Sequence, residues 1–221
     1  MKVAIMQPYF FPYIGYFQLI DAVDIYVNLD HVSFMKRSYM TRNKLKNSTS
    51  INVPVYKGSQ NKKCNEIYVD YNSNHFKKLL KTIEYLYSKS PNYHKIFNLI
   101  LPLFKEDKIT ISQFNLNIIK TICNYLDINT QIIDSSEGYT DLKKEKGLQE
   151  IVKKVKGTTY VNAIGGKSLY SKNNFTSQDI FLTFIQMGKI NFNNPYISIL
   201  DLMFQHPKES IKEQIKNYKL I

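Results

Sequence analysis

Residues 1–30 read MKVAIMQPYFFPYIGYFQLIDAVDIYVNLD, and their pattern decides the fold. Lys2 to Met6 is a short apolar run without Pro or Gly, which reads as a buried strand. Pro8 and Pro12 end it, because each removes a backbone donor from the ladder. Ile14 to Ala22 then reads as a helix with Phe17, Leu19 and Ile20 to one side. Asp24 to Val27 reads as a second strand. Strand, loop, helix and strand in so short a span make a compact parallel βαβ unit, and in such sheets ligands bind beyond the carboxyl ends of the strands. The loop Gln7 to Pro12 and the segment Asn28 to His31 are therefore expected at the mouth of a site.

The chain has 221 residues, enough for one large domain or a core with an insertion, with 43% hydrophobic and 14% aromatic residues. That composition argues for a packed fold and against disorder. Cys64 and Cys123 lie far apart with no ligand-like spacing, so neither a disulfide framework nor a metal site is expected. The apolar start is broken by Pro8 and Pro12 and lacks a small-residue cleavage site, so no export signal is read there, and no apolar run is long enough to span a membrane. A cytoplasmic protein is expected. The formal charge of +12 has two readings. One is an anionic partner, a nucleotide or phosphorylated carrier ahead of nucleic acid, because no nucleic-acid motif accompanies the charge. The other is a lysine-rich composition spread along the chain.

Further along, Val32 to Asn47 is polar and basic and reads as a long functional loop. Ile51 to Val55 reads as a strand with Asn65 to Val69 near it. Helical spacing predicts helices from Ser73 or Asn74 to about Tyr87, over Asn92 to Phe104 and over Ser112 to Leu126. Strands are expected at Thr130 to Asp134, Thr158 to Val161 and Ile180 to Ile185. Helices are expected over Lys143 to Lys156, Ser198 to Gln205 and Pro207 to Lys219. This order predicts an α/β three-layer sandwich with a mainly parallel sheet. It is read as a single domain over 1–221, with an all-helical elaboration at about 73–126.

Two resemblances add to this. The layout of the first thirty residues resembles the nucleotidylyltransferase superfamily, in which a His-x-Gly-His element opens the first helix. Tyr13-Ile14-Gly15-Tyr16 stands there instead. The resemblance implies a Rossmann-like, nucleotide-binding fold, but tyrosine cannot supply the positive charge of the two histidines, which argues against adenylyl transfer. The second resemblance is to the WbqC-like protein family. It rests on MQPYFFPYIGYFQLIDAVD, on TRNKLKN followed by INVPV, on YVNAIGGKSLYS and on SILDLMF, in that order along nearly the whole chain. This family is associated with gene clusters for bacterial O-antigens and other surface polysaccharides, so the resemblance implies a role in making or modifying a sugar.

Candidate site residues follow from chemistry. Gln7, Tyr9, Tyr13 and Tyr16 surround the end of the first strand, where amide and phenol groups orient a sugar or nucleotide by hydrogen bonds and stacking; the competing reading is core packing. Asp30 and His31 follow the second strand and are the candidate catalytic pair, Asp30 as general base or ribose ligand and His31 as a group that titrates near neutrality. A turn-capping Asp is the alternative. Arg37, Arg42 and Asn43, flanked by Lys36 and Lys44, form a basic cluster suited to phosphate or carboxylate. Asn162, Gly165, Gly166, Ser168 and Tyr170 follow a strand, and paired glycines let backbone amides approach an anion, although the spacing is not that of a Walker loop. Asp201 is either a helix-start carboxylate paired with Ser198 or one half of a His–carboxylate pair with His206. The histidines show no metal-ligand spacing, and no metal is expected.

The expected function is an enzyme of surface-polysaccharide synthesis acting on a nucleotide-linked sugar, by acyl or aminoacyl transfer to an amino sugar. An acyl or aminoacyl thioester would be the donor and an acyl or peptidyl carrier protein a partner. Alternatives are an ATP-dependent nucleotidylyltransferase-like enzyme and a non-catalytic sugar-nucleotide-binding protein of the same pathway.

Overall fold

The computed structural model describes residues 1–105, 108–140 and 144–221. Its opening stretch forms β1 (Lys2–Met6), α1 (Ile14–Asp21) and β2 (Ile25–Asn28). The two strands run parallel, in register from Val3 opposite Ile25 to Met6 opposite Asn28. Side chains alternate across the pleat, so Val3, Ile5, Ile25 and Val27 enter one core while Ala4 and Tyr26 enter the other. Both faces are buried because helices cover both.

The remaining strands are a small antiparallel pair, β3 (Arg42–Lys44) and β4 (Ser50–Asn52), and the sheet members β5 (Gln131–Ile133), β6 (Thr159–Ala163), β7 (Phe181–Met187) and β8 (Tyr218–Leu220). The helices are α2 (Asn74–Tyr87), α3 (Tyr93–Ile100), α4 (Ile111–Tyr125), α5 (Lys144–Lys154), α6 (Lys172–Thr176), α7 (Ile199–Gln205) and α8 (Lys208–Ile215). Among the described residues the main sheet has six strands in the order β5-β2-β1-β6-β7-β8, parallel except for the β7–β8 pair. The apolar faces of α1, α2, α3, α4, α7 and α8 pack on one side of it, and Leu148, Ile151 and Val152 of α5 with Phe175 of α6 pack on the other. This is the three-layer Rossmann-like α/β arrangement. The strand order reverses between β1 and β6, which puts the topological switch point at the carboxyl ends of those two strands.

The sequence reading and the structure part at several places. Within Val32 to Asn47, read as loop, β3 pairs with β4 through Asn43 opposite Ile51. Only three residues pair, too few to show a period in the sequence. The expected strand partner Asn65 to Val69 contributes an isolated bridge, Val55 with Val69. The helix expected to reach Phe104 becomes a tighter turn at Leu101–Phe104, with Pro102 in its first turn. The last helix stops at Ile215, and the chain turns back as β8 along β7. Lys143, the expected start of α5, lies outside the described residues, as do Glu106 and Asp107 within the helical section.

Cys64 and Cys123 are both buried and free. Burial raises each thiol from an ordinary 9.0 to about 12, with Asp30 adding to the effect at Cys64 and Asp21 at Cys123. Their ionisation therefore favours the unfolded chain. The stability they contribute is complete below the ordinary thiol range and is lost as pH rises toward about 12. The buried phenols of Tyr16, Tyr26 and Tyr160 are also raised by burial and act in the same direction. Urea midpoints should fall continuously between about pH 8 and about pH 11, and neither thiol should be alkylated in the native protein near pH 8.

Candidate functional site

The loop between β1 and α1 is built from residues that cannot satisfy their own backbone. Pro8 and Pro12 have no N–H, and Phe11 stands at φ 41, in the left-handed region that side chains disfavour. Carbonyls here are buried and need donors from elsewhere. Three buried polar side chains supply them. Asn43 Nδ2 donates to the carbonyls of Phe10 (3.1 Å) and Phe11 (2.7 Å). Asn115 Nδ2 donates to those of Pro8 (3.0 Å) and Met40 (2.8 Å). Ser198 Oγ donates to Phe11 at 2.8 Å, and the Ile199 amide donates to Pro12 at 2.9 Å. Phe10 and Phe11 fill the core with Phe104 and Phe114. Tyr9 and Tyr13 are left half-buried at the surface of this platform.

Beside the platform, Tyr9, Tyr13, Tyr39 and Tyr196 line a cavity of about 230 Å³ with Pro12 and Asn43. The ring centroids of Tyr9 and Tyr39 lie 5.6 Å apart and those of Tyr13 and Tyr196 5.9 Å apart. Burial first, and the neighbouring phenols second, raise Tyr9 and Tyr13 above the ordinary phenol range, so both hydroxyls stay protonated and can donate. Arg42 and Lys44 project from the exposed face of β3 into the next cavity, and Asn43 between them points inward.

A second cavity, about 450 Å³, lies beyond the ends of β2 and β5. Its wall includes His31, Lys63, Ser136, Lys144 and Tyr170. Lys63 Nζ contacts His31 Nε2, and His31 Nδ1 faces Glu137 at 3.9 Å. Lys144 opens α5, and the side face of Lys144, Gly147, Leu148 and Ile151 completes the wall, with Glu145 also in the first turn of the helix. Tyr170 arrives from the segment after β6 and stands edge-on to Tyr160 and Phe175.

The sequence candidates divide accordingly. Tyr9, Tyr13, Arg42, Asn43, His31 and Tyr170 line cavities, and Asp201 shares another with His206. Asp30 has another task from that of a free base: its Oδ1 accepts from Ser135 Oγ (2.8 Å), Ser136 N (2.9 Å) and Ser136 Oγ (3.2 Å), so it ties β2 to β5. Tyr16 is fully buried, its hydroxyl donating to the Gln7 carbonyl at 2.7 Å and 2.5 Å from that of Tyr26. Gln7 itself is half-buried just past β1. Asn43 acts through the platform. Arg37, at φ 55, faces a shallow depression with Lys36 rather than the tyrosine cavity. Asn162 is buried, its Oδ1 accepting from the Ala163 amide and its amide packed over Gly166, where a Cβ would sit 2.5 Å from Nδ2. Gly165 is open, and Ser168 is exposed. Asp201 accepts from the Tyr87 hydroxyl at 2.5 Å, a bond between α7 and α2 rather than a cap. His206 stacks on Phe192.

Sequence reading did not single out Lys63, Lys144 or Tyr196. The first two are ordinary lysines in a lysine-rich chain; a tyrosine next to an Asn-rich turn, Asn191 to Asn194, is the one signal that marks Tyr196. No group of three or more His, Cys, Asp or Glu among the described residues is placed to hold a metal ion. No helix among them is long and apolar enough to cross a membrane.

Fold and cavities together define an α/β protein with a doubly wound, mostly parallel sheet and cavities beyond the carboxyl ends of its strands. The family model described as the WbqC-like protein family matches residues 7–213, and the chain belongs to that family. It is 29% identical over 215 residues to the uncharacterized protein Rv1507c of Mycobacterium tuberculosis (strain ATCC 25618 / H37Rv), covering 92% of this chain and 93% of that protein. No solved structure matches the chain.

Replacing Asn43 by Ala leaves the buried Phe10 carbonyl without a donor and the Phe11 carbonyl with Ser198 Oγ alone. The expected cost is about 1–3 kcal/mol, read as a lower urea midpoint with an unchanged slope.

Proposed function

We propose that this protein is an enzyme of bacterial surface-polysaccharide synthesis that binds a nucleotide-linked sugar and transfers an acyl or aminoacyl group to an amino group on it. One observation carries the reading: the cavity at the carboxyl ends of β2 and β5 brings His31, Lys63 and Lys144 together at the first turn of α5. The two ammonium groups of Lys63 and Lys144 suit a diphosphate. Tyr170 offers an aromatic edge and a hydroxyl to the attached sugar or base.

In this reading the diphosphate draws Lys63 away from His31 and leaves Nε2 free. The sugar amine attacks the thioester carbonyl, His31 Nε2 takes the amine proton, and Glu137 faces the Nδ1 side of the imidazolium. The new C–N bond forms as the C–S bond breaks, and the departing thiolate takes the proton from the His31 imidazolium, which restores the base. The base is His31, because the Asp30 carboxylate is engaged by Ser135 and Ser136. Family membership supports the pathway, since the WbqC-like family is associated with polysaccharide gene clusters, and a nucleotide-sugar substrate favours a cytoplasmic location. The nucleotidylyltransferase alternative has less support: Tyr16, in the position of a catalytic histidine, is buried and donates to a backbone carbonyl.

Calorimetric titration with UDP- and dTDP-linked amino sugars tests the reading. The unmodified chain should bind one of them, and Lys63→Ala should weaken binding by about tenfold or more, the scale of a lost charge-assisted hydrogen bond. His31→Gln should bind normally and turn over no thioester. Unaltered binding by Lys63→Ala contradicts the assignment of this cavity.

A further inference from the structure

A different part of the carboxyl edge has no role in that reaction. The tyrosine cavity, the cavity beside β3 and a third cavity under α7 lie in a row as a segmented groove, each sharing wall residues with the next. Tyr39, Asn43 and Tyr196 line both the first and the second. Ser48, Asn194 and Ile197 line both the second and the third. The volumes along it are about 230, 670 and 550 Å³, more than a single small ligand fills.

The lining changes along the groove. At one end are tyrosine faces, with Tyr39 62% and Tyr196 71% exposed. Large aromatic surface left in water at this level marks a contact surface. In the middle Arg42 and Lys44 project from the exposed face of β3. At the other end the wall is amide-rich, with Asn47, Asn191, Asn193 and Gln205 beside the Phe192 and His206 stack, and Lys46 and Asp201 are its two charged members. Amides both donate and accept, which matches hydroxyl groups that do the same. Aromatic faces suit the apolar faces of pyranose rings. Arg42 offers a planar fork for one carboxylate.

The geometry points to an acidic oligosaccharide as the occupant of this groove, lying with one sugar on the Tyr13–Tyr196 pair, a carboxylate at Arg42 and further sugars among the amides. A nucleic-acid strand can use the aromatic and amide parts as well, but it carries a phosphate at every step, and the amide-rich end sets the Asp201 carboxylate against Lys46 rather than a run of cations. The inference stands apart from the occupant of the His31 cavity: it requires binding of a glycan chain, not turnover.

The test is to probe the full-length chain on an array of bacterial capsule and O-chain oligosaccharides. The best-bound acidic tetrasaccharide is then titrated by calorimetry, alongside its monosaccharide, its carboxyl-reduced form and a dT12 oligonucleotide. The tetrasaccharide should bind at least about tenfold tighter than either the monosaccharide or the carboxyl-reduced form. Tyr196→Ala should weaken it by about tenfold, whereas Tyr196→Phe, which keeps the ring, should stay within about threefold. Arg42→Gln should abolish the preference for the carboxylate. Both side chains are exposed, so these variants should melt like the parent. UDP-sugar binding should be unchanged by them, which separates failure here from failure at the His31 cavity. No binding on the array, binding independent of length, or binding of dT12 alone would overturn the proposal.

Discussion

The structure depends on hydrogen bonds to carbonyls that their own segment cannot satisfy. The segment Gln7 to Tyr13 leaves β1 at the sheet's switch point with two prolines and a left-handed phenylalanine. Left alone it would bury several unpaired carbonyls, each costing on the order of 1–3 kcal/mol. Asn43, Asn115 and Ser198 come from three elements far apart in sequence, β3, α4 and the start of α7, and all three are buried. Each is useful only when the other elements are in place. The small β3–β4 pair, the helical section and the C-terminal helices are thereby fixed to the end of β1 by polar groups as well as by packing. Phe10 and Phe11, both fully buried, hold the same segment from the apolar side.

This anchoring sets what reaches the surface. With Phe10 and Phe11 turned inward, Tyr9 and Tyr13 remain outward, against Tyr39 and Tyr196. Arg42 and Lys44 follow from the same cause: Asn43 must face the platform, so period-two alternation turns its neighbours to solvent. On the other side of the sheet edge Asp30 plays the corresponding part. It binds Ser135 and Ser136 and so holds the ends of β2 and β5 together, which forms the floor next to His31 and Lys63. Buried polar groups build both surfaces, and the exposed ones are left facing the cavities.

The sequence made much of this legible, and the limits have physical reasons. The strand-loop-helix-strand start shows because its apolar runs are uninterrupted and its breaks are prolines. The long helices show because Phe76, Leu79 and Ile83, or Phe114, Ile118 and Ile122, keep helical spacing. β3 and β8 do not show, because three-residue strands carry no period and their pairing is set by tertiary contact. At the site, residue type identified groups suited to a ligand but not which way they point. Asp30, Tyr16 and Asn43 have the right chemistry for a ligand, yet each is spent on the protein's own backbone or hydroxyl groups, which only the assembled fold reveals. Lys63 and Lys144 are the reverse case: the fold brings two unremarkable lysines to one cavity.

Native-state hydrogen exchange at the Phe10 amide tests the central claim most directly. That amide donates to the Tyr39 carbonyl at 2.8 Å within the anchored segment. If the platform opens only when the whole structure does, Phe10 should exchange with the same free energy as the amides of β1 and β2, near the global unfolding value. Exchange as fast as that of the exposed turn around Gly58 would contradict the account, because the carbonyls of the segment would then be opening to water without the rest of the fold.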